Sequence, residues 1–211
     1  RVRAYVGLGA NVGDPAGTLA AAVDALARLS GVRLRGVSRL YATEPVGVTD
    51  QPEFRNAVVA LDVPAGRDPA TGASALLTAL KGLERSFGRQ QRERWGPREV
   101  DLDLLVFGRH RVNVERPPEG RSDDPAKASL PLVVPHVEAR QRLFVLAPLS
   151  DLAPGLVPPG WGETVSTAAD RQRDLEGPDA ARPIATWDVD GWTPLPGATQ
   201  RGVNLLPGQR S

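Results

Sequence analysis

The chain has 211 residues, 41% hydrophobic and 24% charged, which suits one folded globular domain and excludes wholesale disorder or a fibrous repeat. It has no cysteine and only two histidines, His110 and His136. Disulfide scaffolds, cysteine-ligated zinc, iron–sulfur clusters, thiol nucleophiles and multi-histidine metal sites are therefore excluded. The formal net charge of +1 argues against bulk electrostatic binding of nucleic acid, and no run approaches the ~18 apolar residues that span a bilayer. No N-terminal segment reads as a signal peptide, so the expected setting is the cytoplasm. Lys81 and Lys127 are the only lysines; the remaining positive side chains are arginines, which grip phosphate bidentately.

Residues 2–8 alternate as a strand, which Gly7, Gly9 and Gly13 break into a loop. Asp14-Pro15 reads as an N-cap and first helical position, and Leu19, Val23, Leu26 and Leu29 share a helical face through Ser30, with Gly31 as C-cap. A second strand covers Val32–Tyr41, a polar loop 43–53, and a third strand Asn56–Val63. Asp68-Pro69 starts a second helix, whose apolar face of Leu76, Leu80, Leu83 and Phe87 ends at Gly88. An arginine-rich loop, 89–98, precedes a fourth strand, Val100–Phe107. The order β-α-β-β-α-β predicts an α+β, ferredoxin-like fold: an antiparallel sheet with both helices on one face. Residues 117–129 read as an inserted loop, more as surface decoration than as a cover, and 138–149 as a short helix. The domain is expected to occupy 1–165. Residues 166–211 form a C-terminal extension expected to be largely irregular, with Trp187 and Trp192 able to pin it to the body.

The strongest chemical signal is Asp101-Leu102-Asp103. In a strand both carboxylates share one face, ~7 Å apart at Cα, with Leu102, Leu104 and Val106 on the other. Such a pair can hold Mg²⁺ against substrate phosphates; a solvated face, or pairing with Arg98, is the alternative. Arg85, Arg89, Arg92, Arg94 and Arg98, with Trp95-Gly96-Pro97 among them, lie just upstream. A mobile arginine loop beside paired carboxylates is what phosphoryl transfer needs, and a solvated basic loop balanced by Glu84, Glu93 and Glu99 is the bland alternative. Gly7–Asp14 joins a strand to a helix N-terminus and reads as a tight turn more than as an anion cradle. Phe54 and Asn56 suit stacking on and hydrogen bonding to a flat heterocycle, or ordinary strand-edge packing. His136, near Arg140, Arg142 and Phe144, is a phosphate donor or a structural histidine.

Taken in order, Gly9-Ala-Asn-Val-Gly-Asp, Tyr41-Ala-Thr-Glu-Pro-Val-Gly, Asp50-Gln-Pro-Glu-Phe-Arg-Asn-Ala, Arg94-Trp-Gly-Pro-Arg-Glu-Val-Asp-Leu-Asp-Leu, Val134-Pro-His and Arg142-Leu-Phe-Val-Leu-Ala-Pro-Leu resemble the 6-hydroxymethyl-7,8-dihydropterin pyrophosphokinases of folate biosynthesis, from Val2 to about Pro158. The resemblance implies transfer of diphosphate from ATP to the hydroxymethyl group of the pterin, with release of AMP. It implies Asp101 and Asp103 as ligands of two Mg²⁺ ions, and Arg89 and Arg98 as catalytic contacts to the phosphates. Glu84, Trp95, Leu104, Arg116, His136 and Arg142 match ATP-site positions. Phe54 and Phe144 would sandwich the pterin, Asn56 would read its polar edge, and Thr43, Pro45, Val46 and Trp95 would line its pocket. The substrate hydroxyl would attack the β-phosphorus, with Asp101 the candidate to accept or relay its proton. The chain departs from the family pattern at Gln91, Phe54, Lys81 and Val137, and in the 117–129 insertion. ATP and the pterin are the expected partners, and a monomer the expected state. An inactive ATP-binding homologue and an RNA-binding ferredoxin-like module are the competing readings; the two acids on the fourth strand disfavour the second.

Overall fold

The computed structural model describes residues 1–44, 50–88, 100–189 and 191–198. Strand β1 (Val2–Ala10) leads to helix α1 (Pro15–Ala27) and strands β2 (Arg33–Val37), β3 (Leu40–Thr43) and β4 (Phe54–Val63). Helix α2 (Pro69–Ser86) and strand β5 (Asp101–Phe107) complete the expected β-α-β-β-α-β order. Asp14 and Asp68 cap the two helices as expected, accepting from Gly17 N and Thr71 N, each followed by proline at the first helical position.

Three local expectations are corrected. Gly7 and Gly9 do not end β1; both pair within it, and only Gly13, at φ +64°, makes the turn. The second strand is split at Ser38, whose Oγ accepts from Val58 N while its N–H donates to Val58 O, so β2 and β3 run along the same side of β4. The fourth strand carries a bulge: Val6 pairs with Leu104 but Tyr5 with Val106. Beyond the bulge the alternation reverses, and Val106 packs beside Leu105 on the face of the acids rather than with Leu102 and Leu104.

Beyond β5 come β6 (Val112–Val114), a 3-10 turn at Pro118–Gly120, α3 (Pro125–Ala128), β7 (Leu132–Val134), a second 3-10 turn at Ala139–Gln141, α4 (Leu143–Leu152) and α5 (Val165–Glu176). Strands β8 (Arg182–Asp188) and β9 (Gly191–Pro194) follow. The expectation of a largely irregular extension after 165 is therefore corrected for the residues described. Helix α5 packs on α4, and β8 pairs with β3 to extend the sheet to the order β5-β1-β4-β3-β8-β9. The physical reason is the anchor expected of the two tryptophans: Trp187 and Trp192 meet edge to face at 4.7 Å, both pack against the core, and Trp192 Nε1 donates to Ser38 O.

As expected, α1 and α2 share one face of the sheet, burying Leu19, Val23, Leu26, Leu76, Leu77 and Leu80 against Val6, Leu8, Val59, Leu61 and Leu102. The opposite face is also covered. There α4 and α5 bury Tyr5, Val58, Ala60, Leu105 and Val106 beneath Leu146, Leu149, Val165 and Ala169. This cover stops short of the strand ends that carry Gly7, Gly9, Asn56 and the Asp101/Asp103 pair, and those ends floor a cavity. No helix among the described residues is long and apolar enough to cross a membrane.

Candidate active site

The cavity is about 780 Å³. Its floor is set by strand register. Gly9 pairs with Asn56 on one side and Asp101 on the other; in the next row Gly7 lies between Val58 and Asp103. Two interstrand spacings separate the outer strands by roughly 10 Å. The glycines give that interval no side chain, so an open trough joins the amide on β4 to the carboxylates on β5. The trough is tight at Gly9, where a Cβ would lie 3.1 Å from Asn56 Oδ1.

At the β4 end, Asn56 Nδ2 donates to Thr43 Oγ1 at 2.7 Å, which fixes the amide and turns Oδ1 toward Gly9. Thr43, Phe54 and Asn56 all line the cavity, with Phe144 and Val145 from the first turn of α4 above them. The guanidinium of Arg142 lies 5.6 Å from the centre of the Phe144 ring and pairs with Glu138 at 2.6 Å. Toward the β5 end stand Arg116 and His136. The backbone N–H of His136 donates to the carbonyl of the bulged Leu105, and its Nδ1 accepts from Glu138 N.

The β5 end is braced by two buried side chains of α2, of which Lys81 also lines the cavity. Lys81 and Glu84 lie on α2, 4% and 2% exposed, and their side chains meet at 2.7 Å. Lys81 Nζ donates to Leu102 O at 3.2 Å, while Glu84 Oε1 accepts from Leu102 N at 2.7 Å. Strand β5 is the last strand of the sheet. The pair therefore takes the place of a neighbouring strand at the one residue that separates the two acids. Burial pulls the Lys81 ammonium down, but Glu84, Asp103 and Asp101 outweigh it and hold its pKa above the ordinary lysine value.

Asp101, Asp103, Arg116, His136, Arg142, Thr43, Phe54, Asn56 and Phe144 thus come together on one cavity wall or another. Two expected residues do not. Leu104 is buried on the opposite face with Leu102, as alternation requires before the bulge, and Glu84 stands behind the strand. Pro45, Val46, Arg89, Arg92, Arg94, Trp95 and Arg98 lie outside the described residues. The 117–129 segment is more than decoration: Arg85 Nη2 donates to Glu119 O, and Ser122 and Lys127 line the cavity. Sequence reasoning also missed Gln172 and Glu176 of α5, which complete the wall near Phe144. Lys81 carried a legible signal, a lysine on the apolar face of a helix one turn before a glutamate. Gln172 and Glu176 carried none.

Two carboxylates are the protein contribution that Mg²⁺ commonly takes when substrate phosphates and water supply its other ligands. Asp101 and Asp103, on one face and opening on the cavity, fit that role; among the described residues no cluster of three or more His, Asp or Glu forms an all-protein metal cage.

This fold and site define an α+β protein with a ferredoxin-like sheet, whose open end presents an acid pair, basic side chains and an aromatic-and-amide pocket in one trough. Residues 5–154 match the model of the family described as 7,8-dihydro-6-hydroxymethylpterin-pyrophosphokinase, and the chain belongs to that family. A 2-amino-4-hydroxy-6-hydroxymethyldihydropteridine pyrophosphokinase of Pseudomonas aeruginosa is 42% identical over 154 residues, 73% of this chain and 82% of that protein. One of Methylorubrum extorquens is 41% identical over 166 residues, 79% and 90% of the two chains. Among solved structures, an HPPK-DHPS in complex with substrates superposes with a TM-score of 0.67 at 12% identity, covering 92% of this chain and 49% of that one. A triple-mutant Plasmodium falciparum HPPK-DHPS gives 0.66 at 15% identity, with 92% and 48% covered. The chain thus spans about half the length of these solved chains, and the likeness concerns the fold.

Proposed function

We propose that the protein transfers diphosphate from ATP to the hydroxymethyl oxygen of 6-hydroxymethyl-7,8-dihydropterin, releasing AMP, a step of folate biosynthesis. The observation that carries the reading is the row Asn56–Gly9–Asp101: a heterocycle held at the β4 end can extend a short substituent across the glycines to the acids. Phe54 and Phe144 stack on the ring, Asn56 Oδ1 accepts from its polar edge, and Thr43 keeps that amide from rotating. Arg116, His136 through Nε2, and Arg142 bind the nucleotide. Arg89 and Arg98 are assigned to its phosphates, with Trp95 beside the nucleotide and Pro45 and Val46 at the pterin pocket, on family resemblance alone.

Asp101 and Asp103 would hold Mg²⁺, two ions on the resemblance. When bound, the metal polarises the phosphates and neutralises charge on the leaving AMP. The hydroxymethyl oxygen forms a bond to the β-phosphorus, the bond from that phosphorus to the α,β-bridging oxygen breaks, and AMP leaves with the electron pair. The hydroxyl proton passes to Asp101, directly or through a water it holds. Leu102, clamped by Lys81 and Glu84, keeps both acids aimed into the trough, so that positioning and charge neutralisation supply most of the rate.

The test is AMP formation from ATP, Mg²⁺ and the pterin, with Asp101→Ala as control. Pterin-dependent AMP release that falls by at least about a hundredfold in the variant is expected. Intact ATP, or ADP formed regardless of pterin, would overturn the proposal.

A further inference from the structure

Helix α5 lies beyond the 5–154 segment that matches the family, yet its buried Gln172 and exposed Glu176 both line the cavity. Glu176 Oε1 accepts a 3.0 Å hydrogen bond from Leu143 N, the first residue of α4, and a 2.7 Å bond from Gln172 Nε2. Gln172 is itself 8% exposed, so the donor that orients the glutamate has little freedom of its own. Arg142, the residue before Leu143, caps α4 with its backbone alone and provides no side-chain cap. The first amide of α4 would otherwise lack a partner, and Glu176 supplies it with a charge-assisted bond. Phe144 is the next residue along. Its ring position follows the path of the first turn, because χ1 of a helical residue has few allowed wells.

We propose that Glu176, held by Gln172, is a positioning residue for the pterin subsite: it fixes the first turn of α4 and so sets where the Phe144 ring stands over the ring opposite. Arg142 has its own restraint in Glu138, so the effect falls on the aromatic wall more than on the basic one. This inference rests on the reading of Phe144 as a pterin contact.

The experiment is calorimetric binding of two probes, 6-hydroxymethylpterin and a non-hydrolysable ATP analogue with Mg²⁺, to the full chain and to its Glu176→Ala and Glu176→Gln variants, with a thermal midpoint for each. Losing a charge-assisted hydrogen bond to the helix amide is expected to weaken pterin binding in Glu176→Ala roughly tenfold. Nucleotide binding should stay within about twofold. Glu176→Gln, which keeps a carbonyl acceptor for Leu143 N, should recover most of the loss. Unchanged pterin affinity in Glu176→Ala overturns the inference and leaves the proposed function standing. Equal losses for both probes that track the thermal midpoint also overturn it, because a merely structural helix contact would behave so. Failure of the unaltered chain to bind the pterin overturns the parent reading and this inference with it.

Discussion

Replacing Glu84 by leucine isolates what the buried pair behind β5 contributes. The substitution leaves the Lys81 ammonium 4% exposed with Leu102 O as its remaining hydrogen-bond acceptor, and strips Leu102 N of its 2.7 Å acceptor. Removing one partner of a buried ion pair costs about 3–5 kcal/mol, because the surviving charge stays desolvated. That is a large part of the ~5–15 kcal/mol by which a domain is stable. At roughly 2–4 °C per kcal/mol for a chain of this size, the thermal midpoint falls by about 6–20 °C. The pH dependence gives a second readout. In the unaltered protein the Lys81 pKa sits above its unfolded value of 10.5, so its contribution is complete below that pH and is lost as pH rises through the folded value. Without Glu84, burial loses its strongest opponent and the ammonium pKa falls. The stability that the unaltered protein loses at alkaline pH is then smaller in the variant. A Lys81→Met/Glu84→Leu double variant, which removes both charges but leaves Leu102 N and O without these partners, should recover only part of the midpoint. Calorimetric unfolding across pH checks all three. A midpoint within about 2 °C of the unaltered protein, or an alkaline limb unchanged in the single variant, would refute the brace.

Gly9→Val should fill the trough where Asn56 Oδ1 already stands 3.1 Å from a notional Cβ; AMP formation should fall by about a hundredfold or more, while the ATP analogue still binds by calorimetry. Asn56→Leu removes the amide and leaves Thr43 Oγ1 without its 2.7 Å donor; the KM for the pterin should rise roughly tenfold or more, with the KM for ATP little changed. Asp62 carries hydrogen bonds from Arg3 and Arg35 that hold its carboxyl below the usual carboxylate range. Its stabilisation is present above the unfolded carboxylate pKa and is lost as pH falls through the lowered folded value. Asp62→Asn should therefore flatten the acid limb of the stability curve, read by urea unfolding at a series of pH values.

The sequence by itself determined much of the site. Period-2 alternation put Asp101 and Asp103 on one face, and capping residues with apolar spacing marked α1 and α2, because these patterns depend on neighbours a few positions apart. Ordered motifs marked the family. What alternation could not foresee was the bulge at Leu105, which moves Val106 to the other face through pairing with a strand a hundred residues away. The roles of Gly7 and Gly9 were equally hidden, since a glycine inside a strand looks like a strand end until register sets it between Asn56 and Asp101. Only the tertiary structure decided that Lys81 and Glu84 close the edge of β5, that α5 reaches the amide of Leu143, and that the polar C-terminal segment adds strands to the sheet. These are contacts between segments far apart in the chain. They are fixed by which unpaired backbone groups and apolar faces the packed sheet leaves to be covered, and no local pattern encodes them.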